Sequence, residues 1–160
     1  MLSAIGSFIV IGIGGIGCVL AGILADRFGR TTITIISMLI SGTCCIIVGM
    51  LFGNYPIVLF ILCLIWGFAV IADSAQFSAS LTELGDPAYV GTALTLQTCL
   101  GFLVTMVSIR LIPIFVNWIS WHWAFSLLAI GPFFGVLTMY RLKRLPFSAK
   151  IGGERKQGRF

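Results

Sequence analysis

The sequence predicts an all-α integral membrane protein, a polytopic bundle of five transmembrane helices. Hydrophobic residues make up 59% of its 160 residues and charged residues 9%, against roughly 25% charged in a soluble domain. Mean hydropathy is +1.10, so most of the surface suits hydrocarbon rather than water. The apolar residues come in five long blocks parted by short polar punctuation, each near the roughly 20 residues that cross a bilayer as a helix.

The first block runs from Ser3 to Leu24 and stops at Asp26-Arg27-Phe28-Gly29-Arg30. Arg27 is the first positive charge and follows a span-length run, which predicts a membrane helix rather than a cleaved leader. The second block, Thr31 to Phe52, stops at Gly53-Asn54-Tyr55-Pro56. The third, Ile57 to Ser80, gives way to Glu83-Leu84-Gly85-Asp86-Pro87. The fourth starts near Val90 and reaches Arg110 to Pro113; the fifth runs from Trp121 to Tyr140. Turn formers at the junctions support these boundaries. Residues 1–145 thus read as the transmembrane domain, and 146–160 as a Gly-, Lys- and Arg-rich cytoplasmic tail predicted to be disordered.

Lysine and arginine mark the cytoplasmic side. Arg27 and Arg30 follow the first helix, and the tail region holds Arg141, Lys143, Arg144, Lys150, Arg155, Lys156 and Arg159. Five spans put both groups on one side, so nine of the ten basic residues are cytoplasmic, Arg110 being the exception. The predicted protein is a multi-pass protein of the cell (inner or plasma) membrane, with its amino terminus outside and carboxyl terminus inside. Trp118, Trp121 and Trp123 fit the interfacial aromatic belt. A basic tail beside a membrane helix points to anionic lipid, not nucleic acid.

Cys18, Cys44, Cys45, Cys63 and Cys99 all lie in apolar runs, without CxxC or histidine pairing. They read as small packing residues rather than disulfides or zinc ligands. With His122 the lone histidine, neither a histidine metal site nor a catalytic triad is predicted. No cofactor is implied, and the absence of clustered histidines or carboxylates argues against an enzyme.

Gly12, Gly14 and Gly17 match GxGxxG, the dinucleotide-binding pattern. That fold requires a short strand before the glycines and an acid about 20 residues past them. Here the glycines sit inside a span-length block, and Thr31 to Ile40 contains no acid. Helix packing explains them better. Gly14, Cys18 and Gly22 repeat every four residues, as do Gly17, Ala21 and Ala25, a spacing that lets membrane helices approach closely.

The junction Gly22-Ile23-Leu24-Ala25-Asp26-Arg27-Phe28-Gly29-Arg30 can be read physically. Asp26 ends a helix at the membrane surface, where it can accept hydrogen bonds from the amino terminus of a neighbouring helix. Gly29 permits a tight turn, and Arg27 and Arg30 face headgroups or a carboxylate. The segment resembles the cytoplasmic signature loop of the major facilitator superfamily, roughly G-x-L-A-D-R-x-G-R-R/K. Thr31 departs from the final basic position. In that family the loop locks the transporter's two halves in one state of alternating access. The resemblance implies a gating role for Gly22, Asp26, Arg27, Gly29 and Arg30; the plainer alternative is a loop that only sets topology.

The family has twelve spans in two similar halves, with this loop after the second span of each. A first-half placement would put the family's intramembrane arginine near the start of the third span, and residues 57–72 contain none. A second-half placement is followed by a basic tail. The resemblance therefore implies family helices eight to twelve, in a carboxyl-terminal fragment whose missing amino-terminal half is a partner. Gly131-Pro132-Phe133-Phe134-Gly135 resembles the family's Gly-Pro antiporter pattern but lies in a different helix, so its function is not carried over.

Ionisable residues within a span are functional candidates by default. Asp73 is the clearest, and Asp73, Gln76 and Ser80 share a helical face. That face either lines a cavity and accepts a proton or cationic group, or serves structurally near the inner surface. Thr98, Gly101, Thr105 and Ser108, bordered by Gln97, form a polar stripe on the fourth helix that suits a cavity wall or helix–helix hydrogen bonding. Arg110 lies roughly 20 Å from Asp73 along the bilayer normal, which disfavours an ion pair. The expected function is a secondary carrier of a small solute. The alternative is a non-transporting membrane scaffold, or the product of a degenerate, truncated gene.

Overall fold

The computed structural model describes residues 2–51, 55–119, 123, 125, 128–145 and 151. Among them are five helices and no strand: α1 (Leu2–Phe28), α2 (Arg30–Leu51), α3 (Pro56–Leu84), α4 (Val90–Ile119) and α5 (Ile130–Lys143). The first four are long and apolar enough to cross a membrane. Trp121, His122 and most of the predicted start of the fifth helix lie outside the described residues, as does the predicted tail apart from a buried Ile151.

Three helix ends run past their apolar blocks. α1 continues through Asp26 and Arg27 to Phe28, and α3 continues through Glu83 to Leu84. The backbone ladder needs no apolar side chains, so it extends beyond the hydrocarbon and carries polar residues on rigid turns. α4 passes through Pro113 and ends at Ile119, where the sequence predicted a stop. Proline removes one ladder donor, a loss membrane helices tolerate when neighbouring groups satisfy the freed carbonyl. In α3 proline takes the first position, where its missing N–H costs nothing.

α1, α2 and α3 form the tightest part of the bundle, and α5 docks on the far side of α2. In lipid the hydrophobic effect does not drive helices together, so close packing of small residues must. Gly14, Gly17, Ala21 and Ala25 are buried along one face of α1. A Cβ at Gly17 would lie 2.8 Å from the Phe68 carbonyl oxygen, and one at Gly14 would lie 3.1 Å from that of Gly67. Gly67 in turn faces α1, its Cβ position 3.0 Å from the Val10 carbonyl oxygen. The GxGxxG glycines are therefore mid-helix. Gly22 does not extend the contact, since nothing lies within 4 Å of its Cβ position; it sits one residue past Ala21, off the buried face.

Buried Thr34, Ser37, Ser41, Cys44, Cys45 and Val48 turn α2 inward, and Trp66 Nε1 donates to Ser41 Oγ across the α2–α3 seam at 3.2 Å. Cys44 and Cys45 pack there, Cys18 and Cys63 are half-buried, and Cys99 is exposed; all are free thiols. The Gly-Pro segment of α5 serves as a packing surface. Pro132 Cβ lies 3.4 Å from the Cβ position of Gly42, and Met38 Sδ 2.7 Å from that of Gly135. α4 touches α3 sparsely and has no buried residue among those described.

Candidate functional site

The α1–α2 junction turns at one residue. Gly29 has φ 89°, in the left-handed region that L side chains avoid. Its N–H donates to the Ala25 carbonyl at 2.9 Å, and its own carbonyl accepts from the Ile33 N–H at 3.2 Å. The turn ends α1 and starts α2 with a single residue between them, placing Arg30 at the first position of α2.

From there Arg30 gathers three helices. Its Nε donates to Glu83 Oε1 at 2.8 Å, Nη1 to Gln76 Oε1 at 3.4 Å, and Nη2 to Asp26 Oδ1 at 3.3 Å. The guanidinium's fixed fork can serve several acceptors at once, which a lysine ammonium does less well. Glu83 is the shorter ion pair and the less solvated of Arg30's two carboxylate partners, its side chain 27% exposed against 68% for Asp26. Asp26 sits in the last turn of α1, where the helix dipole disfavours an acid. Its partner among the described residues is the Arg30 side chain, not the amino terminus of a neighbouring helix. Arg27 is exposed with no ion-pair partner among the described residues.

Glu83 was absent from the predicted site. The signal that marks it is helical spacing: Gln76, Ser80 and Glu83 follow i, i+4, i+7 and continue the buried run Ala69 and Ala72. That run also revises the reading of Gln76. It was grouped with Asp73 as a cavity face, but it is 2% exposed and held in the α2–α3 seam by Arg30. Asp73, on the flank of that buried run, is half-buried and accepts from Ser74 Oγ at 3.3 Å. Lys143 Nζ donates to Thr32 Oγ1 at 2.7 Å, so the carboxyl end of α5 joins the same charged end of the bundle.

A second feature lies between α3 and α4, a cleft of about 430 Å³ lined by Ser74, Phe77, Ser78, Gln97, Thr98, Gly101, Phe102 and Thr105. It brings Gln97, Thr98 and Thr105 together with Ser74 and Ser78, while Asp73 adjoins it through Ser74. Gln97 Nε2 donates to Ser78 Oγ at 3.4 Å, bridging the two helices. Arg110 is exposed and has no ion-pair partner among the described residues. Among those residues no cluster of histidine, cysteine or carboxylate side chains could hold a metal ion.

A family model described as Major Facilitator Superfamily matches residues 1–159. No curated protein and no solved structure matches the chain.

Proposed function

The chain belongs to the major facilitator superfamily, and from that premise we propose that it forms part of a secondary carrier moving a small solute by alternating access, driven by a proton or substrate gradient. Members of that family are multi-pass membrane transporters rather than enzymes. The observation that carries the finer reading is the Arg30 clamp, which ties the end of α1, the start of α2 and the end of α3 at one membrane face. Such a clamp can stabilise one state of a carrier and must open or re-form in the other. A half-buried ion pair suits that task, because it is strong when closed and its groups hydrate when parted.

In this reading the clamped face is cytoplasmic and the amino terminus lies outside, in the cell membrane, as the positive-inside rule favours. The helices correspond to family helices eight to twelve, a placement supported by the lack of arginine in residues 57–72. The amino-terminal half then supplies the opposite wall of a cavity near the bilayer midplane, and the α3–α4 cleft faces that cavity.

The test is uptake of a panel of labelled solutes by cells lacking the full-length gene, with and without complementation. The expected result is at least one solute whose uptake falls on deletion, returns with the wild-type gene, and stays low with Arg30→Ala. Uptake unaltered by deletion across sugars, organic acids, inorganic anions and amines would leave a membrane scaffold as the better account.

A further inference from the structure

We propose that the cleft between α3 and α4 binds the ammonium end of a cationic solute. The proposal deepens the carrier reading and rests on it for the solute's status as cargo; binding itself does not depend on transport.

Hydrogen-bond accounting in the lining leads to this class. A hydroxyl carries one donor hydrogen and two acceptor lone pairs. Thr98 Oγ1 donates to the Leu94 carbonyl at 2.8 Å and Thr105 Oγ1 to that of Gly101 at 2.9 Å. Ser78 Oγ donates to the Ser74 carbonyl at 3.4 Å. Ser74 Oγ has the Val70 carbonyl at 3.1 Å and Asp73 Oδ1 at 3.3 Å, so its hydrogen is engaged either way. With the Ser78 hydrogen directed at the Ser74 carbonyl, Ser78 Oγ accepts from Gln97 Nε2 at 3.4 Å. Gln97 Oε1 is then a buried acceptor without a partner. All four hydroxyl hydrogens in this lining are engaged and Gln97 Nε2 keeps one of its two, so acceptor capacity exceeds donor capacity.

A lining with more acceptors than donors and no basic side chain disfavours phosphate and carboxylate groups and suits a group that brings its own donors. Phe77 and Phe102 add aromatic rings, whose faces attract cations. Asp73 adjoins the lining through Ser74 and supplies an acid beside it. Among the described residues no lysine, arginine or histidine lines the cleft. Arg110 on the same helix is turned about 140° away from Thr105, at about 100° per residue. A primary ammonium offers three donors in a compact charge. It meets the threonine oxygens directly, and Gln97 Oε1 after a rotation of that side chain. The cleft volume of about 430 Å³ falls in the range of small-molecule sites.

The test is equilibrium binding to the full chain in lipid nanodiscs, with empty nanodiscs as background. The probes are labelled butylammonium, 1-butanol and butyrate, which share shape and differ in charge and donors. Butylammonium should bind saturably and at least about tenfold more tightly than either counterpart, the scale of one charge-assisted hydrogen bond. Gln97→Leu should weaken it about tenfold. Gln97→Glu keeps an acceptor there and should match or exceed wild type, which separates lost recognition from lost folding. Butyrate binding more tightly than butylammonium, no saturable butylammonium binding to the helical chain, or weaker binding by Gln97→Glu than by Gln97→Leu would each overturn the proposal. If butylammonium binds but the full-length protein moves no solute, the carrier reading falls and the cleft assignment stands. If solutes move but butylammonium does not bind, the cleft assignment alone falls.

Discussion

Arg30 Nε meets Glu83 Oε1 at 2.8 Å, joining the first residue of α2 to the last turn of α3 across 53 positions of sequence. The same guanidinium reaches Asp26 at 3.3 Å, four residues back. The two pairs differ in solvation, and that decides their weight. Glu83 is shielded and Asp26 is mostly in water, so Glu83 is the anchor and Asp26 the guide.

A double-mutant cycle should separate them. For Arg30→Gln with Glu83→Gln we predict a coupling of about 1–2 kcal/mol. With Asp26→Asn in place of Glu83→Gln the coupling should be no more than about 0.5 kcal/mol, as for exposed i, i+4 pairs. Hydrogen–deuterium exchange offers a readout that needs no substrate. Glu83→Gln should speed exchange at the start of α2 and the end of α3, and Asp26→Asn should leave it nearly unchanged. Equal couplings would show that Glu83 is not the anchor.

Close approach of α1 to α3 predicts a sharp contrast between neighbouring glycines. Gly17→Leu must push away a backbone carbonyl 2.8 Å from its Cβ position, and overpacking of this kind costs about 1–3 kcal/mol. Gly12→Leu meets nothing within 4 Å and should be close to neutral. Thermal unfolding in detergent, followed by tryptophan fluorescence, compares them. Equal melting temperatures would remove the packing role of the α1 glycines.

The turn at Gly29 is open to the same kind of check. An alanine at φ 89° costs about 1–2 kcal/mol in the left-handed region. Gly29→Ala should therefore lower the unfolding temperature, and it should also raise exchange at Arg30 and Thr31 by displacing the clamp. A stability loss without local exchange would mean that the turn does not position Arg30.

Asp73 is the candidate for proton coupling under the proposed carrier function. In the full-length carrier, Asp73→Asn should reduce proton-driven uptake about tenfold while sparing exchange of solute for solute, as expected where an intramembrane acid relays protons. Uptake with unaltered rate and pH dependence would make Asp73 a structural residue.

Local features were the legible ones. The five apolar blocks set the helices, and Asp26 to Arg30 marked the loop, because composition and contiguous motifs survive in a linear reading. Glu83 was missed because its partner lies 53 residues away and an acid beside a turn looks like ordinary loop chemistry. Only its spacing from Gln76 and Ser80 hinted at a buried neighbour. Gln76 was misplaced for a related reason. Residues one helical face apart share a direction, but which neighbour that face meets is a tertiary fact. Pro113 misled as a helix stop because the rule comes from water, where a broken ladder can be solvated and the chain can turn.

Thr31 supplies a last prediction, at the position where the signature loop departs from its family pattern. The family favours a basic residue there, but Thr31 is 0% exposed and its Oγ1 has no hydrogen-bond partner among the described residues. A buried, unsatisfied hydroxyl costs about 1–3 kcal/mol, so Thr31→Val, which keeps the shape and removes that oxygen, should raise stability by about 0.5–1 kcal/mol. Restoring the family's charge should do the opposite. Thr31→Arg places a guanidinium in the seam already occupied by Arg30, with no carboxylate to spare, and should cost about 3 kcal/mol or more. Thermal unfolding of the two variants side by side gives the answer. If Thr31→Arg is tolerated and Thr31→Val is not, the start of α2 is more open than the structure has it, and the clamp has room for a second cation.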